Sequence, residues 1–560
     1  MCGIFALLHN NNEVVDMDNI LQNFMKGKSR GPENSKLEVI NDNLILGFHR
    51  LAINGLNDNS MQPLNIDGVI LICNGEIYNY RQIFSNLKYE PRTQSDCEAI
   101  IPLYNKYGIK YTLENLDGVF SFILYDLNNK MGYIARDPFG VRPLYFGINA
   151  NNIYFSSLLK QISNLCTECF NFKAGTYTKF SINHDECIIS SPVTYTTFNY
   201  NMNNRIFNIG IDSLANSYEI IYTSLFEAVK KRVITMERNL ACLLSGGLDS
   251  SIISALVSKF VPSGQLQTYS IGMIGGSDLE YARLVSKHIN SNHTEIILSE
   301  HEFFENIDEV IYQIESYDTT TVRASVGNYL VAKYISQNSD AKVIFNGDGS
   351  DELTGGYMYF HNCPNNIEFD YECKRLLRDI QYFDVLRSDR CISCHGLEPR
   401  TPFLDRSFVH NYLSLPIQHR NFNNYNKMEK WLLRKSIEKM DTHLLPKEVL
   451  WRTKEAFSDG VSSVQKSWYQ IIQEQLEDRY TDEYLNESKL KYEHNPPQTK
   501  EQLYYREIFE KYYRNNSHVI PYFWMPKYCD TKDASARSLD IYKKQMNLES
   551  NIDDLYNGTI

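Results

Sequence analysis

No stretch of this 560-residue chain approaches 18 consecutive apolar residues, so the sequence predicts no membrane-spanning helix. The opening MCGIFALLHN lacks a basic leader and its apolar run stops at His9, which makes a poor signal peptide. Cysteine is too sparse for a disulfide scaffold, 12 residues in 560. Together these absences predict a soluble, cytoplasmic chain with reduced thiols. Basic charge is not in excess either: 56 Lys and Arg face 68 Asp and Glu, a net charge of −12. Neither nucleic acid nor an anionic membrane surface is therefore expected as a partner. Histidines are scattered, without metal-ligand spacing. The two CxxC pairs, Cys166–Cys169 and Cys391–Cys394, fall in different predicted domains, which argues against one zinc site. CISCH at Cys391–His395 matches a haem-attachment pattern, but haem attachment needs an export route the chain lacks.

What remains is globular: 43% apolar residues, 28 Gly and 17 Pro, with no fixed-period repeat. The length leaves room for several domains or two large ones. Residues 1–189 read as short strands punctuated by turn residues, at Cys2–Leu8, Leu44–Phe48, Val69–Cys73, Val119–Tyr125 and Ile153–Ser156, with helices at Met17–Met25 and Asp96–Tyr107. This predicts a β-rich domain of two packed sheets. Residues 190–211, rich in Thr, Asn and Tyr, read as a linker. From 212 to 520 strands (Asn239–Ser245, Leu266–Ile271, Lys342–Asn346) alternate with helices (Ser217–Val233, Ser250–Phe260), which predicts a parallel α/β sheet; 425–513 is mostly helical. Residues 521–560 read as a loose polar tail.

Cys2 follows the initiator Met directly. Removal of that Met would place the thiol beside a free α-amine, which is partly neutral near pH 7 and can serve as its general base. Alone, Cys2 reads more readily as a small buried residue opening a strand. The neighbouring motifs decide it. CGIF (Cys2–Phe5), RGPE (Arg30–Glu33), FHRLAI (Phe48–Ile53), NGEIYN (Asn74–Asn79), SDCE (Ser95–Glu98) and RDPFGVRPLY (Arg136–Tyr145) together resemble the class II glutamine amidotransferase domain, an N-terminal-nucleophile fold. The resemblance implies that Cys2 attacks the glutamine amide and forms a thioester. It implies Asn74 and Gly75 as oxyanion donors, Arg50 as the fork for the α-carboxylate and Asp96 as the ammonium partner, with Leu51, Ile53 and Glu76 completing the glutamine site.

A second signal is NLACLLSGGLDSS (Asn239–Ser251): an apolar strand, a Gly-rich turn and a helix start, which together form a phosphate cradle. It is not a P-loop, and it resembles the PP-loop of ATP pyrophosphatases. With ESYDTTTVRAS (Glu315–Ser325), NGDGSDELTGGY (Asn346–Tyr357), RTPFLD (Arg400–Asp405), WRTKEAFSDG (Trp451–Gly460) and QTKEQLYYREIFE (Gln498–Glu510), the whole of residues 2–515 resembles the glutamine-hydrolysing asparagine synthetases. That resemblance implies a glutaminase sandwich followed by a PP-loop α/β domain with a helical C-terminal part. L-aspartate, L-glutamine and ATP would be the substrates and Mg²⁺ the cofactor; aspartate would be activated as β-aspartyl-AMP, and ammonia would cross an internal tunnel. Ser245, Gly246, Gly247, Ser250 and Ser251 would hold pyrophosphate. Leu243, Ile271, Asn346 and Gly347 would meet adenine and ribose. Asp249 and Asp351 would bind Mg²⁺, Lys454 would stabilise the adenylation transition state, and Thr320, Thr321 and Arg323 would lie on the aspartate side. A homodimer is left open.

Asn346-Gly347-Asp348 departs from the Ser-Gly-Glu common in that family. Asp348 keeps an acidic group, one methylene shorter, for the proposed role in intermediate formation or proton acceptance. Alternatives left standing are an ammonia-dependent synthetase with an impaired glutaminase, and a non-catalytic scaffold of the same fold.

Overall fold

The computed structural model describes residues 2–9, 15–150, 152–183, 186–196, 213–463 and 465–542. The first part of the chain is a sandwich of two antiparallel sheets. One sheet runs Glu168–Asn171, Tyr145–Asn149, Asn152–Ser156, Gly3–Leu8, Leu44–Arg50, Asn34–Asn41 in spatial order. The other runs Glu186–Ile189, Thr176–Asn183, Met131–Arg136, Gly118–Asp126, Val69–Ile77, Leu64–Ile66.

Strand alternation explains why the opening strand is buried on both faces. Ile4, Ala6 and Leu8 meet Ile70, Ile72 and Ile123 between the sheets. Phe5 and Leu7 point the other way, into a cluster with Ile20 and Phe24 of the helix Met17–Met25. The helices Tyr80–Leu87 and Ile100–Asn115 cover the outer face of the second sheet through Ile83, Phe84, Ile101 and Leu113. The predicted two-sheet domain is therefore present, with a helical layer on each side.

The second part is built on five parallel strands in the order Asn292–Leu298, Gln267–Met273, Leu240–Leu243, Val343–Phe345, Glu398–Arg400. The chain first winds one way from Leu240–Leu243 and then the other. The crevice at that reversal, at the carboxyl ends of the strands, is where open α/β sheets bind ligands. Two of these strands escaped the sequence reading. Asn292–Leu298 is a half-buried edge strand carrying His293 and Glu295. Glu398–Arg400 is fully buried but has the composition Glu-Pro-Arg.

The C-terminal reading needs correction. Residues 521–542 are not a loose tail: Trp524, Leu539 and Tyr542 are buried, and Asp533 pairs with Arg323 at 2.7 Å. Apolar anchors and ion pairs fix the segment to the second domain; residues 543–560 lie outside the described residues. The linker reading is also only partly open to view. Val193–Thr194 pairs with Thr176–Tyr177, and Tyr195 is buried, so residues 193–195 pack with the first domain. Residues 197–212 lie outside the described residues. Among those described, no helix is long and apolar enough to cross a membrane.

The two domains meet across buried charge. Arg30 forks onto Asp389, with Nη1 at 2.6 Å and Nη2 at 3.3 Å. Arg142 lies 3.6 Å from Asp389 and 3.7 Å from Glu398. Removing one partner of such a set leaves its mates desolvated. Asp389→Ala is expected to cost about 3–5 kcal/mol, read as a lower urea midpoint; an unchanged midpoint would contradict the seam's role in holding the domains.

Candidate active sites

Sheet register assembles the first site. Gly3 lies opposite His49, which sets Cys2 beside the end of the strand carrying Arg50. Cys2, Arg50, Leu51, Ile53, Gly75, Glu76 and Asp96 then line one pocket. The Cys2 thiol donates to the Leu51 carbonyl at 3.6 Å, and Arg30 Nε donates to the Cys2 carbonyl at 3.1 Å. Burial pushes the thiol up to about 11. The resting sulfur is therefore a thiol that needs a local base before it can attack.

Asn74, between the pocket residues Cys73 and Gly75, is fully buried. Its Nδ2 lies 3.4 Å from Ser157 Oγ. Gln62 grips the backbone of Cys73 just before it, accepting from N at 2.6 Å and donating to O at 3.3 Å. Gly75 is dictated by space: a Cβ there would stand 2.6 Å from the Val119 carbonyl and 2.8 Å from Phe120 Cβ. Arg50 Nη2 donates to the carbonyls of Gly55 and Asn57, at 2.5 and 2.8 Å, which fixes the guanidinium at the pocket edge. Asp96 accepts from Ile77 N at 2.6 Å, and burial pushes its carboxyl up to about 6.

Glu76 lines the pocket as expected and also reaches across to the second domain. Its Oε2 accepts from Asn54 Nδ2 at 2.8 Å and from Arg400 Nη2 at 3.1 Å. Burial, reinforced by nearby Glu398, raises its carboxyl well above the ordinary range while Arg400 opposes the shift. Arg400 belongs to the second domain. Its motif was visible in the sequence, but nothing local to it signalled contact with residue 76.

The second cavity opens at the strand reversal. Leu243, Ser245, Gly247, Asp249, Ser250, Ile271, Thr320, Asn346, Gly347, Asp348, Asp351 and Lys454 all line it. The loop after Leu240–Leu243 is held by its own hydroxyls: Ser245 Oγ lies 2.9 Å from Ser250 Oγ, and Gly247 N donates to Ser245 Oγ at 3.3 Å. The helix Leu248–Ser258 has no side-chain cap, which leaves its first-turn N–H groups suited to an anion. Gly246, at φ +82°, turns the loop where a Cβ would stand 2.5 Å from Ala282 N. Gly246 and the fully buried Ser251 support the loop from behind and do not line the cavity.

Asp249 and Asp351 are bridged by two lysines. Lys430 reaches them at 2.5 and 2.6 Å; Lys454 lies 2.7 Å from Asp351 and 4.0 Å from Asp249. Burial works to raise the Asp351 carboxyl, but Lys430 and Lys454 outweigh it and hold the carboxyl below its ordinary range. Two carboxylates beside the Gly-rich loop are a donor set that fits Mg²⁺, which takes one or two carboxylates plus phosphate oxygens. Lys430, like Arg387, was missed because an isolated basic residue carries no motif. Arg387 Nη2 lies 2.8 Å from both Asp348 and Asp384. Asp348 Oδ2 has no hydrogen-bond partner among the described residues, and burial raises its carboxyl against the pull of Arg387.

Two aspartate-side expectations are corrected. Arg323 does not line the cavity: its guanidinium forks onto Glu501 at 2.8 and 2.6 Å and onto Asp533 at 2.8 and 2.7 Å. Thr321 is taken up by the helix cap Asp318, to which its N and Oγ1 donate at 2.9 and 2.7 Å. Thr320 alone of the three reaches the cavity.

Comparison with known proteins agrees with this division. A glutamine amidotransferase domain family model matches residues 1–193, and an asparagine synthase model matches residues 221–373 and 365–538. The glutamine-hydrolyzing asparagine synthetase of Gallus gallus is 41% identical over 568 residues, covering 97% of this chain and 99% of that protein. Those of Homo sapiens and Bos taurus are 40% and 41% identical, each over 97% of this chain and 99% of their own.

Asp96 gives the first pocket a testable pH dependence. It is ionised above about 6 and neutral below, so kcat/KM for an amino-acid substrate carrying an ammonium group should fall as pH drops through about 6. Asp96→Asn should remove that limb and lower kcat/KM by about 10–100-fold, the worth of a charge-assisted hydrogen bond. A wild-type profile flat down to pH 4.5 would contradict the assignment.

Proposed function

Because this chain belongs to the family of glutamine-hydrolysing asparagine synthetases, we propose that it makes L-asparagine from L-aspartate, with nitrogen from L-glutamine and energy from ATP. The observation that carries this reading is the convergence of Cys2, Arg50, Gly75 and Asp96 on one pocket, while Ser245, Asp249, Asp351 and Lys454 converge on another.

In the first pocket Arg50 and Asp96 orient the two charged ends of glutamine. The α-amine freed by removal of Met1 takes the Cys2 proton, and the sulfur attacks the side-chain amide. Negative charge develops on the amide oxygen and is met by Gly75 N–H and the Asn74 side chain. The amine returns its proton to the departing nitrogen, releasing ammonia and leaving a thioester that water hydrolyses to glutamate. Ammonia released into water would be mostly protonated and unreactive. Passage inside the protein keeps it neutral, because burying the charged form is costly.

In the second pocket the loop Ser245–Ser250 holds the β and γ phosphates, while Leu243 and Ile271 bound the adenine side. Mg²⁺, held by Asp249 and Asp351 when bound, supplies charge neutralisation for the phosphates. Lys454 stabilises the charge that builds when the aspartate side-chain carboxylate attacks the α phosphorus and pyrophosphate leaves. Ammonia then displaces AMP from the acyl carbon. Asp348, with one oxygen on Arg387 and the other unpartnered, is placed to take the proton that the attacking nitrogen must lose.

Two variants test the division of labour. Cys2→Ala should abolish glutamine-dependent asparagine formation and leave ammonia-dependent formation intact; loss of both would contradict separate sites. Asp348→Ala should lower ammonia-dependent synthesis by about 10²–10⁴-fold, the range for a lost general base. Full activity would remove that role.

A further inference from the structure

The segment carrying Lys454 lies between the short helices Lys447–Leu450 and Phe457–Gly460 and has no regular structure of its own. Side chains fix its place, and Glu455 is the hub. Its Oε2 accepts from Ser277 Oγ at 2.6 Å and from Arg452 Nη2 at 3.1 Å. Its Oε1 accepts from Arg537 Nη2 at 2.8 Å, from Arg537 Nε at 3.2 Å and from Tyr542 Oη at 2.7 Å.

The network reaches the phosphate loop. Arg452 Nη1 donates to the Gly246 carbonyl at 3.2 Å, and its Nη2 pairs with Asp278 at 2.8 Å. Arg537 also spans the far end of the segment, its Nη1 donating to the Ser463 carbonyl at 2.7 Å. Ser535 Oγ donates to Asp459 at 2.7 Å. Residues 533–542 thus strap one wall of the cavity, touching the Lys454 segment at Glu455, Asp459 and Ser463. Arg537 does not line the cavity. Its planar fork supplies two bonds to one carboxylate oxygen and a third to the backbone.

We propose that Arg537 is a positioning residue of the ATP site: through Glu455 it sets Lys454 on one side, and through Arg452 it sets the Gly246 carbonyl of the phosphate loop on the other. This rests on the reading of that cavity as the ATP site. The function follows from distance. Lys454 works only when its ammonium stands against Asp351 and the phosphates, and an unheld loop would let it drift into solvent.

The full-length chain carrying Arg537→Ala, Arg537→Lys, Glu455→Gln or the double change Arg537→Ala/Glu455→Gln tests it. Four measurements are needed: pyrophosphate release from aspartate, ATP and ammonia; ATP affinity by calorimetry; glutamine hydrolysis alone; and the midpoint of thermal unfolding. Arg537→Ala should weaken kcat/KM for ATP by about tenfold or more, the loss of a charge-assisted pair, while glutamine hydrolysis is unchanged. Arg537→Lys should recover part of the loss, and the double variant should be no worse than either single one. Wild-type ATP kinetics and affinity in Arg537→Ala would overturn the proposal. So would additive losses in the double variant, or a parallel fall in glutamine hydrolysis and melting midpoint. A wild-type chain that neither binds ATP nor releases pyrophosphate would instead remove the ATP-site reading, and the proposal with it.

Discussion

One residue, Arg400, ties the two halves of this protein together. Its side chain reaches Glu76 at the wall of the thiol pocket, 3.1 Å away. Its carbonyl accepts from Asn346 N at 3.1 Å, at the wall of the second cavity. A fully buried guanidinium is tolerable only with partners on every side. Here Glu398 lies at 2.9 Å, the Arg232 and Thr235 carbonyls accept further N–H groups, and Tyr78 offers its ring face. The same interaction that satisfies the charge fixes the distance between two chemistries.

A neighbouring helix repeats the connection. Asp384–Ser393 presents Arg387 to Asp348 at its start. Further along it places Asp389 and Ser393 on Arg30, and Arg30 in turn holds the Cys2 carbonyl. Rigid elements carry both sites, which is what a constellation of fixed geometry requires. The C-terminal strap does for the Lys454 segment what this helix does for Cys2: it supplies from a distance the order that a loop lacks.

Local signals were legible in the sequence. The strand Gly3–Leu8, the helix Met17–Met25 and the strand–loop–helix at Asn239–Phe260 announce themselves by period and by turn residues. Most of the residues lining the two candidate pockets could be named in advance, because Cys2, Arg50, Gly75, Asp96 and Ser245–Ser250 sit in contiguous motifs. Pairings between distant residues were hidden. Arg323 stands in a recognisable motif, yet its partners are Glu501 and Asp533, far along the chain. Lys430 and Arg387 belong to no motif, and only the fold brings Asp249, Asp351, Asp348 and Asp384 to them. The strand Glu398–Arg400 is polar because it lies at the charged seam between domains, where apolar periodicity no longer reports burial. The tail looked loose because its anchors, Trp524, Leu539 and Tyr542, are widely spaced among polar residues.

In the proposed reaction nitrogen leaves one amino acid at Cys2 and joins another at an acyl group activated beyond Arg400. The most direct measurement is the mass of asparagine formed from amide-¹⁵N glutamine, aspartate and ATP, with AMP and ADP quantified in the same reaction. Asparagine carrying one ¹⁵N in its side chain, with one AMP for each molecule formed, is the predicted result. Unlabelled asparagine, or turnover that yields ADP in place of AMP, would contradict it.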